Sequence, residues 1–286
     1  MIVAKSFVLS ASFPLSKTGP DCLRSALEQL APWGIDTIEY YNMNVAPDRL
    51  AALMRGKRSI FLAGARQKAE NLSPCSLDRD IREKAVAGLG ECFHHARQAG
   101  AQAVMVSSGG RPANEKDDAE CLRLLMDSLN RLHELEPGLP ILLEPGDRDV
   151  EYRHLLGPTA WAAEFASGCR NRGIPLGLIF DISHVAQLGE EPEAAWDTAR
   201  PFCDHVHFAN CVLKKGSPLY GDKHPFFGVP DGVYTHDDAR NFLTLLENEQ
   251  KPLTVSLEMI CPQEEEENHF FHRLVTDTGW FFEQKK

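Results

Sequence analysis

PLGLIFDISHV, residues 175–185, is the stretch from which the fold can be read. Leu176, Leu178, Ile179 and Phe180 form a short apolar run, the pattern of one strand buried on both faces. The run stops at Asp181, and His184 follows three residues later. A carboxylate where a buried strand ends, with an imidazole just beyond, fits a site at the carboxyl edge of a parallel sheet. The same letters also fit an Asp181 that caps a following turn or helix and a His184 on its surface.

Reading outward, the same unit recurs along the chain. Apolar strand patterns fall at 7–15, 35–41, 59–65, 101–110, 140–147, 176–180, 204–212 and 253–260. Helical patterns fall at about 21–31, 48–57, 77–98, 116–135, 159–171, 192–200 and 235–248, with a terminal helix after Pro262. Eight strand–helix alternations without a break in composition predict an α/β chain folded as a (β/α)8 TIM barrel, one domain over 1–286. A doubly wound open sheet is the alternative.

Composition narrows the function classes. With 286 residues, 43% hydrophobic and 25% charged, the chain can bury a large core. No apolar run is long enough for a membrane span, so no membrane partner is expected. The opening residues read as a first strand and make a poor signal peptide. Eight scattered cysteines with no CxxC pair point to reduced thiols and a cytoplasmic protein. A net charge of −11 argues against nucleic acid and for a small-molecule partner.

Four of the predicted strands end in a metal-binding residue type. Glu144 ends strand five, Asp181 strand six, His207 strand seven and Glu258 strand eight. In a barrel, consecutive strand ends converge on one face. Three carboxylates crowded there would repel one another, and a divalent cation removes that penalty. Three oxygens and one imidazole suit one Mn²⁺, Mg²⁺, Co²⁺ or Zn²⁺ ion. Taken singly, Glu144 reads equally as a loop carboxylate, His207 as a core histidine and Glu258 as a lysine's partner. Glu39, ending strand two, lies on the same face and reads as a structural ion pair.

The segments LLEPGD, FDISH, HVHFANC, GDKHPFFGVPDG and SLEM, with SLDRDIREKAVAG and AGAQAVMV before them, resemble the xylose isomerase-like TIM barrel superfamily. That superfamily holds sugar isomerases and epimerases together with a family 2 AP-endonuclease branch. The resemblance covers nearly the whole chain. It implies that Glu144, Asp181, His207 and Glu258 are metal ligands and that Glu144 and Glu258 also move the proton, as in the ketose-epimerase and hydroxypyruvate-isomerase branches. The chemistry is sound in itself. A metal chelated by a carbonyl and its neighbouring hydroxyl stabilises an enediolate, while one glutamate removes the C–H proton and the other returns it. His184 would then orient Asp181 or touch a substrate oxygen.

The departures from the family are informative. The endonuclease branch places histidines at the ends of strands three and four, where this chain has Ala63-Gly64-Ala65 and Ser107-Ser108-Gly109. Asp222 and His224 resemble that branch's extra ligands, but with those histidines missing they read as lining a substrate loop beside a single metal. Ser107 to Arg111, SSGGR, offers backbone N–H groups and an arginine to a phosphate, so Ser107 and Arg111 join the candidate substrate contacts. Lys214 and Lys215 are a further candidate grip for an anion. The expected function is a metal-dependent isomerase or epimerase of a sugar, sugar phosphate or keto-sugar. The alternatives are an inosose-type polyol dehydratase, an AP-endonuclease-like phosphodiesterase and a non-catalytic sugar-binding barrel. A homo-oligomer is open by analogy with other barrels.

Overall fold

Side-chain parity along the strands explains where the site lies. A computed structural model describes residues 3–35, 37–41 and 43–282. Eight parallel strands close into a barrel: β1 Val3–Val8, β2 Thr37–Tyr40, β3 Arg58–Leu62, β4 Ala103–Ser107, β5 Ile141–Glu144, β6 Leu176–Asp181, β7 Cys203–Phe208 and β8 Leu253–Leu257. β1 pairs with both β2 and β8, which completes the ring. Helices follow the strands and pack on the outside, so the open-sheet alternative does not apply.

Alternate residues of each strand face the barrel axis. Val8, Ile60, Leu62, Ala103, Met105, Leu142 and Ile179 form the apolar cluster inside the barrel. Their neighbours in sequence, such as Phe7, Phe61, Val104, Leu143 and Phe180, belong to the larger core between strands and helices. Two residues beyond Leu142 comes Glu144, and two beyond Ile179 comes Asp181. Parity therefore turns both carboxylates inward at the carboxyl ends of their strands.

One irregularity sets the register of β7 against β6. Leu178 pairs with Cys203, but Ile179 pairs with His205, so Asp204 is an extra residue on β7. The bulge places His207 opposite Asp181. Without it, Asp181 would face Val206, whose side chain packs in the outer core.

Among the places where the observed elements differ from the predicted ones, two bear on the site. The first strand is Val3–Val8, and the apolar residues after it form a short helix, Leu9–Ser12, and a 3-10 turn, Pro14–Lys17. Leu9 and Phe13 are buried in either conformation, so apolar spacing alone does not separate the two. Gly64 and Ala65, read as the end of the third strand, and the segment after them, which no predicted element covers, form the helix Gly64–Glu70. Its only buried residue is Gln67, so it lacks the apolar stripe that marks a helix. The eight cysteines are free thiols, seven of them buried. No helix among the described residues is long and apolar enough to cross a membrane.

Candidate metal centre

Asp181 shows how the local chain builds the site. Its Oδ1 accepts the backbone N–H groups of Ser183 at 2.6 Å and His184 at 3.4 Å, capping the short helix Ile182–Gln187. The capping reading of the sequence holds for Asp181, although His184 is buried and not on the helix surface. The cap fixes the carboxylate and leaves Oδ2 buried with no hydrogen-bond partner, 3.9 Å from His207 Nδ1.

His207 Nδ1 is the meeting point of the cluster. It lies 2.9 Å from Glu144 Oε1 and 2.8 Å from Glu258 Oε2. One ligand atom each from Glu144, Asp181, His207 and Glu258 lies within 4.8 Å of the others. These are ion-pair distances, yet Glu144 Oε1, Asp181 Oδ2 and His207 Nδ1 make no hydrogen bond of acceptable geometry. Buried polar atoms are nearly always hydrogen-bonded, and three that converge without it need another partner. Ligands held about 2.0–2.2 Å from a zinc ion sit roughly 3–4 Å apart, close to the spacing seen. The four residues thus fit a divalent cation.

Glu39, with His205 and Ser6 that the sequence reading did not name, forms a second layer beneath His207. His207 Nε2–H donates to Glu39 Oε2 at 2.8 Å, and His205 Nε2–H donates to Glu39 Oε1 at 2.8 Å. Ser6 Oγ–H donates to the same Oε1 at 2.9 Å. Glu39 is fully buried. Burial opposes its ionisation most strongly, but the two imidazoles outweigh that and hold its carboxyl well below the usual range. Burial likewise pulls His207 down, yet Glu39, Glu258 and Glu144 keep it well above the usual imidazole value. Burial raises the Glu144 carboxyl, an effect only partly offset by His207. Glu39 is an ion pair, as the sequence suggested, but its partner is one of the four converging residues. His205, two residues before His207 and so on the same face, was findable from strand parity.

The remaining candidates fall into two groups. His184, Asp222 and His224 come together above the centre, in a cavity of about 390 Å³ that Glu144, Glu258 and Ser107 also line. His184 Nδ1–H donates to the Pro145 carbonyl at 2.8 Å and Nε2–H to Asp222 Oδ1 at 3.1 Å. With both nitrogens donating, His184 is an imidazolium, in keeping with a pKa raised by Asp181 and Asp222 against burial. His224 Nε2–H donates to the same oxygen at 2.8 Å, and its pKa is pushed up to about 10, burial being outweighed by Asp222 and Glu258. The two imidazoles, opposed by burial, hold Asp222 well below the usual carboxylate range. His184 thus steadies Asp181 through its backbone N–H, while its ring serves Asp222.

Arg111 falls outside the cavity lining, its guanidinium held 2.9 Å from Asp149. The SSGGR loop is also engaged: Arg111 N–H donates to the Arg153 carbonyl, and Leu155 N–H to the Gly109 carbonyl. Lys214 pairs with Asp231 at 3.0 Å. Tyr220, Phe226 and Phe227 do not line the cavity, and Phe226 and Phe227 pack against Phe270 and Trp280.

Comparisons with known proteins agree with this architecture. No curated protein sequence matches the chain. Among solved structures, the IOLI protein with a binding zinc atom is similar at 16% identity and a TM-score of 0.71, covering 98% of each chain. A D-tagatose 3-epimerase-like protein is similar at 18% identity and a TM-score of 0.66, again covering 98% of each. An AP endonuclease, family 2, from Brucella melitensis is similar at 14% identity and a TM-score of 0.68, covering 98% of this chain and 97% of its own. At these identities the likeness speaks for the fold. Residues 27–270 match the sequence profile of the xylose isomerase-like TIM barrel. With most of its length in that match and a closed eight-stranded parallel barrel to accompany it, the chain belongs to the xylose isomerase-like TIM barrel family.

Proposed function

We propose that the chain is a divalent-metal-dependent isomerase or epimerase of a small sugar or keto-sugar, working by proton transfer through an enediolate. One observation carries the reading: three carboxylates and an imidazole, from four strand ends, converge on a point with buried atoms left unpartnered. Glu144, Asp181, His207 and Glu258 would hold the ion. When bound, the ion supplies Lewis-acid stabilisation of the charge that develops on adjacent substrate oxygens as a C–H proton leaves.

The chain's own residues would do the rest. Glu144 ends β5 and Glu258 follows β8, three strands apart round the barrel, so they reach the centre from different sides. Each carboxylate has a second oxygen with which to take or return a proton. Burial raises the Glu144 carboxyl above its ordinary value, only partly offset by His207. Return of the proton to the opposite face of the same carbon gives an epimer, and return to the neighbouring carbon gives an isomer. The imidazolium of His184 and the ring of His224 line the cavity and would hold substrate oxygens.

Two further points support a sugar over abasic DNA. Among the described residues that line the cavity, those just after β3 and at the end of β4 include Gly64, Ala65, Ser107 and Gly109 and no histidine, where a multi-metal cluster would need one. The net charge of −11 also disfavours a phosphate backbone.

The test is elemental analysis of the purified chain beside a Glu144→Gln, Glu258→Gln double variant, followed by ketose screening in D2O. About one divalent ion per chain, lost in the variant, is expected, together with deuterium appearing at a carbon of the active ketose. Two or three ions would revive the phosphodiesterase reading. No ion after addition of Mn²⁺ or Zn²⁺ would mean that the four side chains are not a metal site.

A further inference from the structure

Part of the cavity lining has a different chemistry from the carboxylates. Lys68, from the helix Gly64–Glu70, and Tyr152 and His154, from the loop after β5, stand there with Asn71, Ser73 and Ser107. Lys68 is the one lysine or arginine among the described residues lining the cavity. In a chain with 41 acidic against 30 basic residues, a lysine readily finds a carboxylate. Lys214 and Lys223 do so, with Asp231 and Glu151. Lys68 instead donates to the hydroxyl of Tyr152 and lies 4.4 Å from the centre of that ring. Its positive charge is therefore held by a neutral aromatic.

Because the phenol oxygen accepts from the ammonium, its own O–H proton is free to donate. The remaining ammonium N–H groups and the phenol O–H thus form a cluster of donors carrying one net positive charge. Tyr152 is held in place from below by His154, stacked on it with ring centres 5.6 Å apart and planes at 15°. Burial, reinforced by the charge of His184, pulls the His154 pKa down to about 4, so that ring is neutral.

The loop carrying both rings is fixed by Asp147. Its buried carboxylate accepts the backbone N–H groups of Val150, Glu151, Tyr152 and Arg153 at 2.7 to 3.3 Å. The donor cluster is therefore ordered before any ligand arrives, which spares the entropy of arranging it. The cavity is also lined by Glu144, Glu258 and Asp222, which repel an anion and leave Lys68 as its one cationic contact from a lysine or arginine among the described lining residues. Arg111 and Lys214, the cations suggested by the sequence, are engaged elsewhere.

We propose that Lys68 and Tyr152 form an anion-binding subsite, and that the substrate is a ketose bearing a phosphate or carboxylate at the end remote from its reacting carbonyl. This rests on the isomerase or epimerase reading of the site. The charge distribution orients such a molecule, placing its anionic end at Lys68 and its carbonyl end at the four converging residues.

The experiment is calorimetric titration of the full chain, loaded with Mn²⁺, with D-ribulose 5-phosphate, D-fructuronate and neutral D-ribulose. At least one anionic probe is expected to bind about tenfold or more tightly than D-ribulose, as one charge-assisted contact supplies. Lys68→Ala should remove that advantage and Lys68→Arg should keep most of it. Whichever anionic probe gains identifies phosphate or carboxylate as the recognised group. Equal binding of all three probes, binding of none, or a Lys68→Ala loss shared equally with D-ribulose would overturn the subsite. Deuterium exchange separates the two readings. A Lys68-dependent preference without exchange would sink the isomerase reading and leave the subsite, whereas exchange indifferent to Lys68 would do the reverse.

Discussion

With its Nε2–H given to Glu39, His207 turns Nδ1 toward Glu144, Asp181 and Glu258, so that loss of the Nδ1 proton would present a lone pair to an ion there. A carboxylate behind a metal-binding histidine fixes the tautomer and raises the basicity of the ligand. Glu39→Gln is expected to weaken Zn²⁺ affinity by about 10–100-fold, measured by competition with a chromophoric chelator. An unchanged affinity would reduce Glu39 to a core ion pair. The same residues set the pH dependence. In the metal-free protein His207 and Glu144 both hold protons more tightly than usual, and both must lose them for an ion to bind. Affinity should therefore rise with pH, by about tenfold per unit for each proton displaced, until those groups ionise unaided. Calorimetry in buffers of different ionisation enthalpy would show the protons leaving.

At the scale of elements, Asp147 ties down the loop after β5 by accepting four of its backbone N–H groups. Asp147→Ala would strip one acceptor from four backbone N–H groups, at a cost of about 3 kcal/mol. Thermal unfolding should shift downward, and hydrogen exchange should quicken first at Val150 to Arg153. Exchange that quickens evenly over the barrel would instead mean that the loop is not a separate unit. This loop also marks the limit of what the sequence carries. The four converging residues were legible because each stands at or beside the end of a buried strand, at the inward parity. The helix Gly64–Glu70 was not, since GARQKAE has no apolar stripe, and with it went Lys68. Its contact with Tyr152 joins positions 84 apart, and no local pattern encodes such a meeting. Arg111 misled because a glycine-rich turn with an arginine looks the same whether its groups face a ligand or, as here, Arg153, Leu155 and Asp149.

At the scale of the molecule, the barrel closes where Val3 pairs with Leu253, so its two ends must meet across 250 residues of chain. The four converging residues come from β5 to just beyond β8 and have no shared neighbourhood until that last strand is seated. A chain with such distant pairings folds slowly, and a site assembled from four strand ends is expected to form after the transition state. An ion at this point would therefore find its ligands only after the slow step is over. At free ion about 100-fold above its dissociation constant, equilibrium stability would rise by about 2.7 kcal/mol. In stopped-flow chevrons that gain should fall almost entirely on the unfolding limb, with refolding indifferent to Zn²⁺ or Mn²⁺ concentration. A refolding rate that climbs with ion would mean that β5 to β8 assemble as a cup before β1 arrives. Otherwise the ion lengthens the lifetime of the closed barrel and takes no part in the search that closes it.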